Sequence, residues 1–489
     1  MALELESTLQ EDAASIRVAL VPVGGTDGPS FRRLASLIHS HTCLDLFGIT
    51  HGQRHGTLRL RFLQSGGGPS EWEELYPQRR VRAVVGLCHS PSEDDLGGAF
   101  RAFMRRVEAF PATAQVRCLV FDSAESSQSL AGLDALPASD MRRIVIVPPK
   151  PRSEVGMHVE RLLEDLGSDL LRDLKAEADT GSAIMPSTPV DASSSLERSP
   201  MLRLLSSGSG RLSARHLKRR GDFRLMDGLA DEAKQAYERA IELLSRTGAD
   251  AVWHAAALEG AAAASLILLT PQQHARLRNG AAAPPVASSA SSDADESGAY
   301  DEALGVARRR LEEAASLCVT RGGRACEVAV EIGFRLARLI GESAERERAR
   351  LAMLPKDLMG AEGGELPPPP SPWRGRRIEA SQRLHRQCFE LAVASDSPLG
   401  FQLQLRACLA AASLSTELGQ HRKSVFYLVE AARRFRDNLQ WHAAHEVLLV
   451  AAPLLQLAPL QWLQLRAQWR PPVPSEPPQS ARPTPSALA

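Results

Sequence analysis

The stretch Arg219–Gly260, RRGDFRLMDGLADEAKQAYERAIELLSRTGADAVWHAAALEG, limits what this chain can fold into more than any other. Gly228 marks a turn, and Ala233, Tyr237 and Ala240 follow on one face of the helix it starts. Small residues at the ends of such a set let two helices approach closely, and the bulky one fills the groove between them. Trp253 opens the next helix and reads as a core anchor. The segment Ala255–Leu269 (AAALEGAAAASLILL) is apolar nearly all round, as expected of a helix covered on several sides. Segments of this kind build scaffolds and carry no chemistry of their own.

At 489 residues the chain exceeds one hydrophobic core, so several domains are expected. Its 58 basic residues balance 58 acidic ones, which leaves no electrostatic footprint for nucleic acid. The 7 cysteines are scattered, with no CxxC pair, and read as reduced thiols of a cytoplasmic protein. The N-terminus, MALELESTLQEDAAS, is acidic and has no apolar signal core. Val447–Leu460 is too short for a membrane span and reads as a buried helix broken by Pro453 and Pro459.

The pattern predicts an N-terminal tail over 1–14 and an α/β domain over 15–178. Strands are expected at Ile16–Val23, Thr57–Leu63, Arg82–Leu87, Val116–Phe121 and Ile144–Val147, with helices between them. A Ser/Pro/Gly-rich linker covers 179–210. An all-α region over 211–470 follows, with disordered insertions at 272–297 and 355–377 and a disordered Pro-rich tail over 471–489. Gly419, Ser424, Leu428 and Ala431 repeat the spacing of Gly228, Ala233, Tyr237 and Ala240, and Tyr300–Val319 fits it loosely. The expected architecture is therefore an α/β domain followed by an all-α, tetratricopeptide-like (TPR-like) α-solenoid.

No catalytic, cofactor-binding or metal-ligating set emerges. The turn VPVGGTDGPS lacks the lysine and Ser/Thr of a phosphate loop, and reads as a tight turn capped by Ser30. His51 and His55 have helical spacing, but Gly52 and Gly56 place them in a surface loop. No GxSxG, HExxH or paired-carboxylate constellation is present. The basic run Arg211, Arg215, His216, Lys218, Arg219 and Arg220 reads as a solvated first helix, with Leu212 and Leu217 as its apolar stripe.

These residues resemble a known family, the large TRAPP II-specific subunit of the trafficking protein particle complex (Trs-one-twenty, subunit nine). In that family a basic helix is followed by a Gly-Asp pair, a hairpin, a tryptophan and ALEG. The matching residues are Lys218–Arg220, Gly221 and Asp222, Leu229–Leu244, Trp253, and Ala257, Leu258, Glu259 and Gly260. His421, Arg422, Lys423 and Ser424, ahead of Phe426 and Tyr427, resemble a later family helix. Pro22-Val23-Gly24 with Phe31, Glu71-Trp72 and Val84–Leu87 are similar to its N-terminal markers.

The resemblance implies a non-catalytic scaffold subunit, without cofactor, in a vesicle-tethering complex that acts as a guanine nucleotide exchange factor for Rab-type GTPases. Its implied partners are other TRAPP subunits, with the GTPase and Golgi, trans-Golgi and endosomal membranes reached only through the complex. Nucleic acid is not among them. Family members continue into β-sandwich domains, so the resemblance implies a C-terminally short member, a fragment of one, or a gene model cut early. Two other readings of the residues stay open. One is a TPR adaptor of another pathway, such as a co-chaperone gripping acidic tails; the other is an α/β nucleotide-binding enzyme.

Overall fold

A computed structural model describes most of residues 9–454. Outside the described residues lie 1–8, 65–71, 90–95, 111–114, 122–136, 148–151, 181–187, 191–208, 248–249, 281–290, 323, most of 353–399, 418–419, 439 and 455–489. The expected insertion at 355–377, the tail at 471–489, nearly all of the linker, Glu71 and Gly419 fall among them. The chain divides into two compact units, residues 1–391 and 392–489.

The first unit is built on a six-stranded sheet of order β2-β3-β1-β4-β5-β6. Its strands are β1 (Ser15–Pro22), β2 (Cys43–Asp45), β3 (Thr57–Leu63), β4 (Val81–His89), β5 (Gln115–Phe121) and β6 (Ile144–Val147). All neighbours pair in parallel except β2, which runs antiparallel to β3. Parallel strands buried on both faces need continuous apolar runs, and β4 is buried along all but its last residue. On one face Ile16, Val18 and Leu20 meet α2 (Gly28–His39) and α6 (Arg152–Asp179). On the other, Ala19 and Val84 meet Phe100 and Phe103 of α4 (Leu96–Val107). Gly86 is required at this second face, because a Cβ there would lie 2.9 Å from the Phe103 ring.

Three short helices complete this part: α1 (Leu9–Ala14), α3 (Leu46–Ile49) and α5 (Ala138–Met141). The expected tail over 1–14 is thus corrected at its C-terminal half, since Leu9 is buried in the helical core. The β2 strand was missed because three residues are too few to show a period. The cap of α2 also differs from expectation. Asp27 accepts from the Ser30 N–H at 2.7 Å, so Asp27 and not Ser30 is the capping residue.

Five longer helices follow: α7 (Ser209–Met226), α8 (Ala230–Thr247), α9 (Ala251–Gly280), α10 (Ser291–Arg321) and α11 (Ala325–Ala352). Each packs on the next, around a core that contains Trp253, Leu266, Leu311 and Leu336. The expected disordered insertion at 272–297 is corrected only at its ends, since α9 continues to Gly280 and α10 begins at Ser291, while 281–290 lies outside the described residues. The run QQHARLR is made of good helix formers, and the Ser/Asp/Glu cluster after it suits a helix N-terminus. Within α9, Ala251–Leu269 is long and apolar enough to cross a membrane, and 72% of that apolar window is buried inside the protein.

The second unit contains α12 (Gly400–Glu417), α13 (His421–Asp437) and α14 (Trp441–Leu454). Cys408, Ala411, Leu428, Ala431, Phe435 and Leu448 are buried among them. Phe401 meets Phe435 edge-on at 6.4 Å, and Pro453 lies inside α14 near its end.

Candidate functional site

The residues singled out in the sequence converge on the inner face of α7. Arg215, Lys218 and Asp222 succeed one another at helical spacing, and both cations are only 1% exposed. Arg215 donates from Nε and Nη2 to the two oxygens of Asp250, each at 2.7 Å, and its guanidinium lies 5.0 Å from the Trp253 ring. Lys218 Nζ donates to Asp222 Oδ2 at 2.7 Å and to the carbonyl of Leu75, with the Tyr76 ring 5.0 Å away. Asp222 Oδ1 accepts from the Tyr237 hydroxyl at 2.8 Å. The expected solvated helix is therefore corrected. Arg215 and Lys218 turn inward because two carboxylates, a carbonyl and two aromatic faces await them there, whereas Arg220 is exposed.

Burial disfavours charge at each of these groups. It pushes the Lys218 amine down, against the pull of Asp222, and pushes Asp222 up, against the pull of Lys218. The Tyr237 hydroxyl is driven well above its ordinary value, first by burial and then by Asp222. Partnered buried charges of this kind add little net stability, but removing one partner is costly.

Tyr237 itself explains two glycines. A Cβ at Gly221 would lie 2.7 Å from Tyr237 Cε1, and one at Gly260 would press on the same edge of the ring, closest at Cζ and Cε1. α7 and α9 thus need glycine where they flank the tyrosine of α8. Ala233 and Ala240 are fully buried beside it, and Leu258 and Trp253 lie in the same core. Gly228 ends α7 with φ +76°, a conformation that glycine adopts without strain. The Leu229 N–H reaches back to the Arg224 carbonyl at 2.8 Å and the Gly228 N–H to that of Leu225 at 3.1 Å, a Schellman closure.

A second layer of polar contacts joins these helices to the sheet. The Tyr76 hydroxyl donates to Glu259 Oε2 at 2.9 Å, while Glu259 Oε1 accepts from Arg335 of α11. Arg335 also donates to Asp12 of α1 at 3.0 Å, and Asp12 accepts from Arg61 of β3. Burial works to raise the Asp12 carboxyl, but Arg335, Arg61, Arg17 and Arg79 hold it well below its usual range. Trp72 Nε1 donates to Glu327 at 3.1 Å, and Arg79 pairs with Glu331. Helix α1 and residues 72–80 therefore clip the sheet to α9 and α11.

This arrangement is suited to holding parts together. Its carboxylates are bound by arginine, lysine, tyrosine or tryptophan, so none is poised as a base. Burial pushes the Cys88 and Cys408 thiols up to about 11 and that of Cys318 up to about 12, away from the reactive thiolate. Among the described residues no group of three or more His, Cys, Asp and Glu side chains could hold a metal ion. At the carboxyl ends of β1 and β4, where sheets of this type change direction and bind ligands, Thr26 ties the two strand ends together. Its hydroxyl donates to the Val23 carbonyl at 2.7 Å and accepts from the His89 N–H at 3.0 Å. The Asp27 carboxylate occupies the adjoining helix start, which disfavours a phosphate.

The remaining singled-out residues lie in the second unit. Ser424 is fully buried, its hydroxyl 2.7 Å from that of Thr416, whereas His421, Arg422 and Lys423 are exposed.

No family model matches the chain. Two curated proteins do. The chain is 33% identical over 270 residues to a trafficking protein particle complex II-specific subunit 120 homolog of Oryza sativa subsp. japonica, covering 51% of this chain and 21% of that protein. It is 28% identical over 269 residues to the subunit 120 homolog of Arabidopsis thaliana, covering 51% of this chain and 22% of that protein. Over about half of its length the chain is similar to these TRAPP II-specific subunit 120 homologs. It spans about a fifth of the length of these relatives.

Reading the sequence found Asp222, Tyr237, Trp253 and Glu259 but missed Asp12, Tyr76, Glu327 and Arg335, which complete the junction. The only signal for them was an excess of charge at positions that also carry apolar periodicity, as in AVEIGFRLARLI of α11.

Proposed function

We propose that this chain is a non-catalytic scaffold subunit of a TRAPP II-type complex that tethers vesicles and promotes nucleotide exchange on a Rab-type GTPase. The observation that carries this reading is the similarity to two TRAPP II-specific subunits, together with a polar centre whose side chains are spent on internal contacts. A frame of this kind presents surfaces to other subunits and leaves the exchange chemistry to them. In this reading the helices after Ser209 form a solenoid that shapes the assembly, and the chain is cytoplasmic. Contact with the GTPase and with Golgi and endosomal membranes is made through its partner subunits.

The test is affinity purification of the tagged full chain from its own cells, followed by mass spectrometry and an exchange assay on the eluate. Recovery of small TRAPP subunits, with exchange activity in the eluate and none in the chain purified alone, is the expected result. An eluate without TRAPP subunits would exclude the proposal, and nucleotide binding or exchange by the isolated chain would exclude its scaffold character.

A further inference from the structure

We propose that the outward face of α13 is a docking surface for an acidic, apolar-anchored helix of a partner protein. At 100° per residue, Arg422, Lys423, Phe426, Glu430, Arg433 and Asp437 share one side of this helix. Ser424, Val425, Leu428, Ala431, Ala432 and Phe435 form the opposite, buried side. Phe426 is 60% exposed, the most exposed large apolar side chain on α13, and it stands where a solvent-facing helix normally carries a polar residue. Its ring meets that of Tyr427 edge-on, with centroids 5.4 Å apart, so the anchor is held before any partner arrives.

The charges around Phe426 define what it would accept. Glu430 is taken up by Arg433 at 3.5 Å and Arg434 at 3.3 Å, and Asp437 by Arg436 at 3.0 Å. The side chains of Arg422 and Lys423 are exposed and make no ion pair or hydrogen bond among the described residues. They also sit in the first turn, which contains no acidic residue and has no side-chain cap at Gln420. Positive charge at that end is opposed by the helix dipole, so carboxylates placed beside it remove a local penalty. Two unmatched cations, an exposed phenylalanine one turn on, and Arg433 at about 16 Å along the axis from Arg422 make a stripe of helical length. A complementary helix would set carboxylates against the first turn and an apolar side chain against Phe426. A lipid surface fits less well, because Phe426 is the one large exposed apolar side chain on this face.

The proposal stands on this geometry and does not rest on the trafficking reading. It is tested with the full chain and a fluorescein-labelled amphipathic peptide of Glu and Leu, beside a Lys/Leu peptide of the same pattern. Vesicles of phosphatidylserine and phosphatidylcholine form a third arm. The acidic peptide should bind, weaken as salt rises, and lose about tenfold or more in affinity in the Arg422→Glu/Lys423→Glu variant. Phe426→Ser should weaken it several-fold while Phe426→Leu retains it. Thermal melting of the charge variant should be unchanged or raised, so lost binding cannot be lost folding. Absence of binding, equal binding by the charge variant, equal binding of the Lys/Leu peptide, or binding of the vesicles in place of the peptide would each overturn the proposal.

Discussion

Helices α7 and α13 both carry a cluster of cations ahead of small, closely packed residues, and they settle those cations in opposite ways. In α7, Arg215 and Lys218 point inward and are fully paired. In α13, Ser424 and Val425 take the inward positions and Arg422 and Lys423 stay in solvent. The difference lies in what surrounds each helix. α7 is enclosed by Asp250, Leu75, Tyr76 and Trp253, which supply acceptors and ring faces for buried cations. On α13, Glu430 and Asp437 are already engaged by neighbouring arginines. One set of cations is therefore part of the frame, and the other is left for contact.

Substitutions can break this contrast, beginning with the largest effect. Ala240→Arg would force an unpaired charge into a fully buried helix–helix contact, and the expected loss exceeds about 4 kcal/mol. Cooperative unfolding in denaturant should be absent or strongly shifted, and unchanged thermal melting would refute this account of the hairpin. Lys218→Met should cost about 3–5 kcal/mol, because it leaves Asp222 buried with only Tyr237 as donor. Adding Asp222→Leu to Lys218→Met should recover part of that loss, and a double-mutant cycle in urea measures the coupling.

Gly221→Ala should cost about 1–3 kcal/mol through overpacking against Tyr237. Combination with Tyr237→Leu should make the alanine cheaper to accommodate. Strict additivity of the two would show that the ring is not what demands glycine. The smallest effect has the opposite sign. Arg422→Glu at the start of α13 should stabilise by about 0.3–1 kcal/mol through the helix dipole, seen as a small rise in melting temperature. A clear fall would mean that Arg422 is held by contacts as Arg215 is, and the contrast between the two helices would collapse.

Much of the local structure can be read from the chain. The strand at β4 follows from its β-branched run, the α7–α8 turn from Gly228, and the buried character of α9 from AAALEGAAAASLILL. The polar junction was legible only in part. LQEDAA reads as an acidic tail because its partners Arg59, Arg61 and Arg335 come from β3 and α11. Gly221, Tyr237 and Gly260 each signal close packing, but nothing local says that they pack on one another.

The sequence by itself determined the alternation of strands and helices, the hairpin of small residues and the family likeness. These are written in periodicity and in the identity of neighbouring residues, which act through backbone preference and short-range packing. Tertiary structure alone decided which charges are buried and which are offered to solvent. Burying a cation is tolerable only where acceptors converge, and those acceptors come from residues distant in the chain, such as Leu75 and Asp250 for α7.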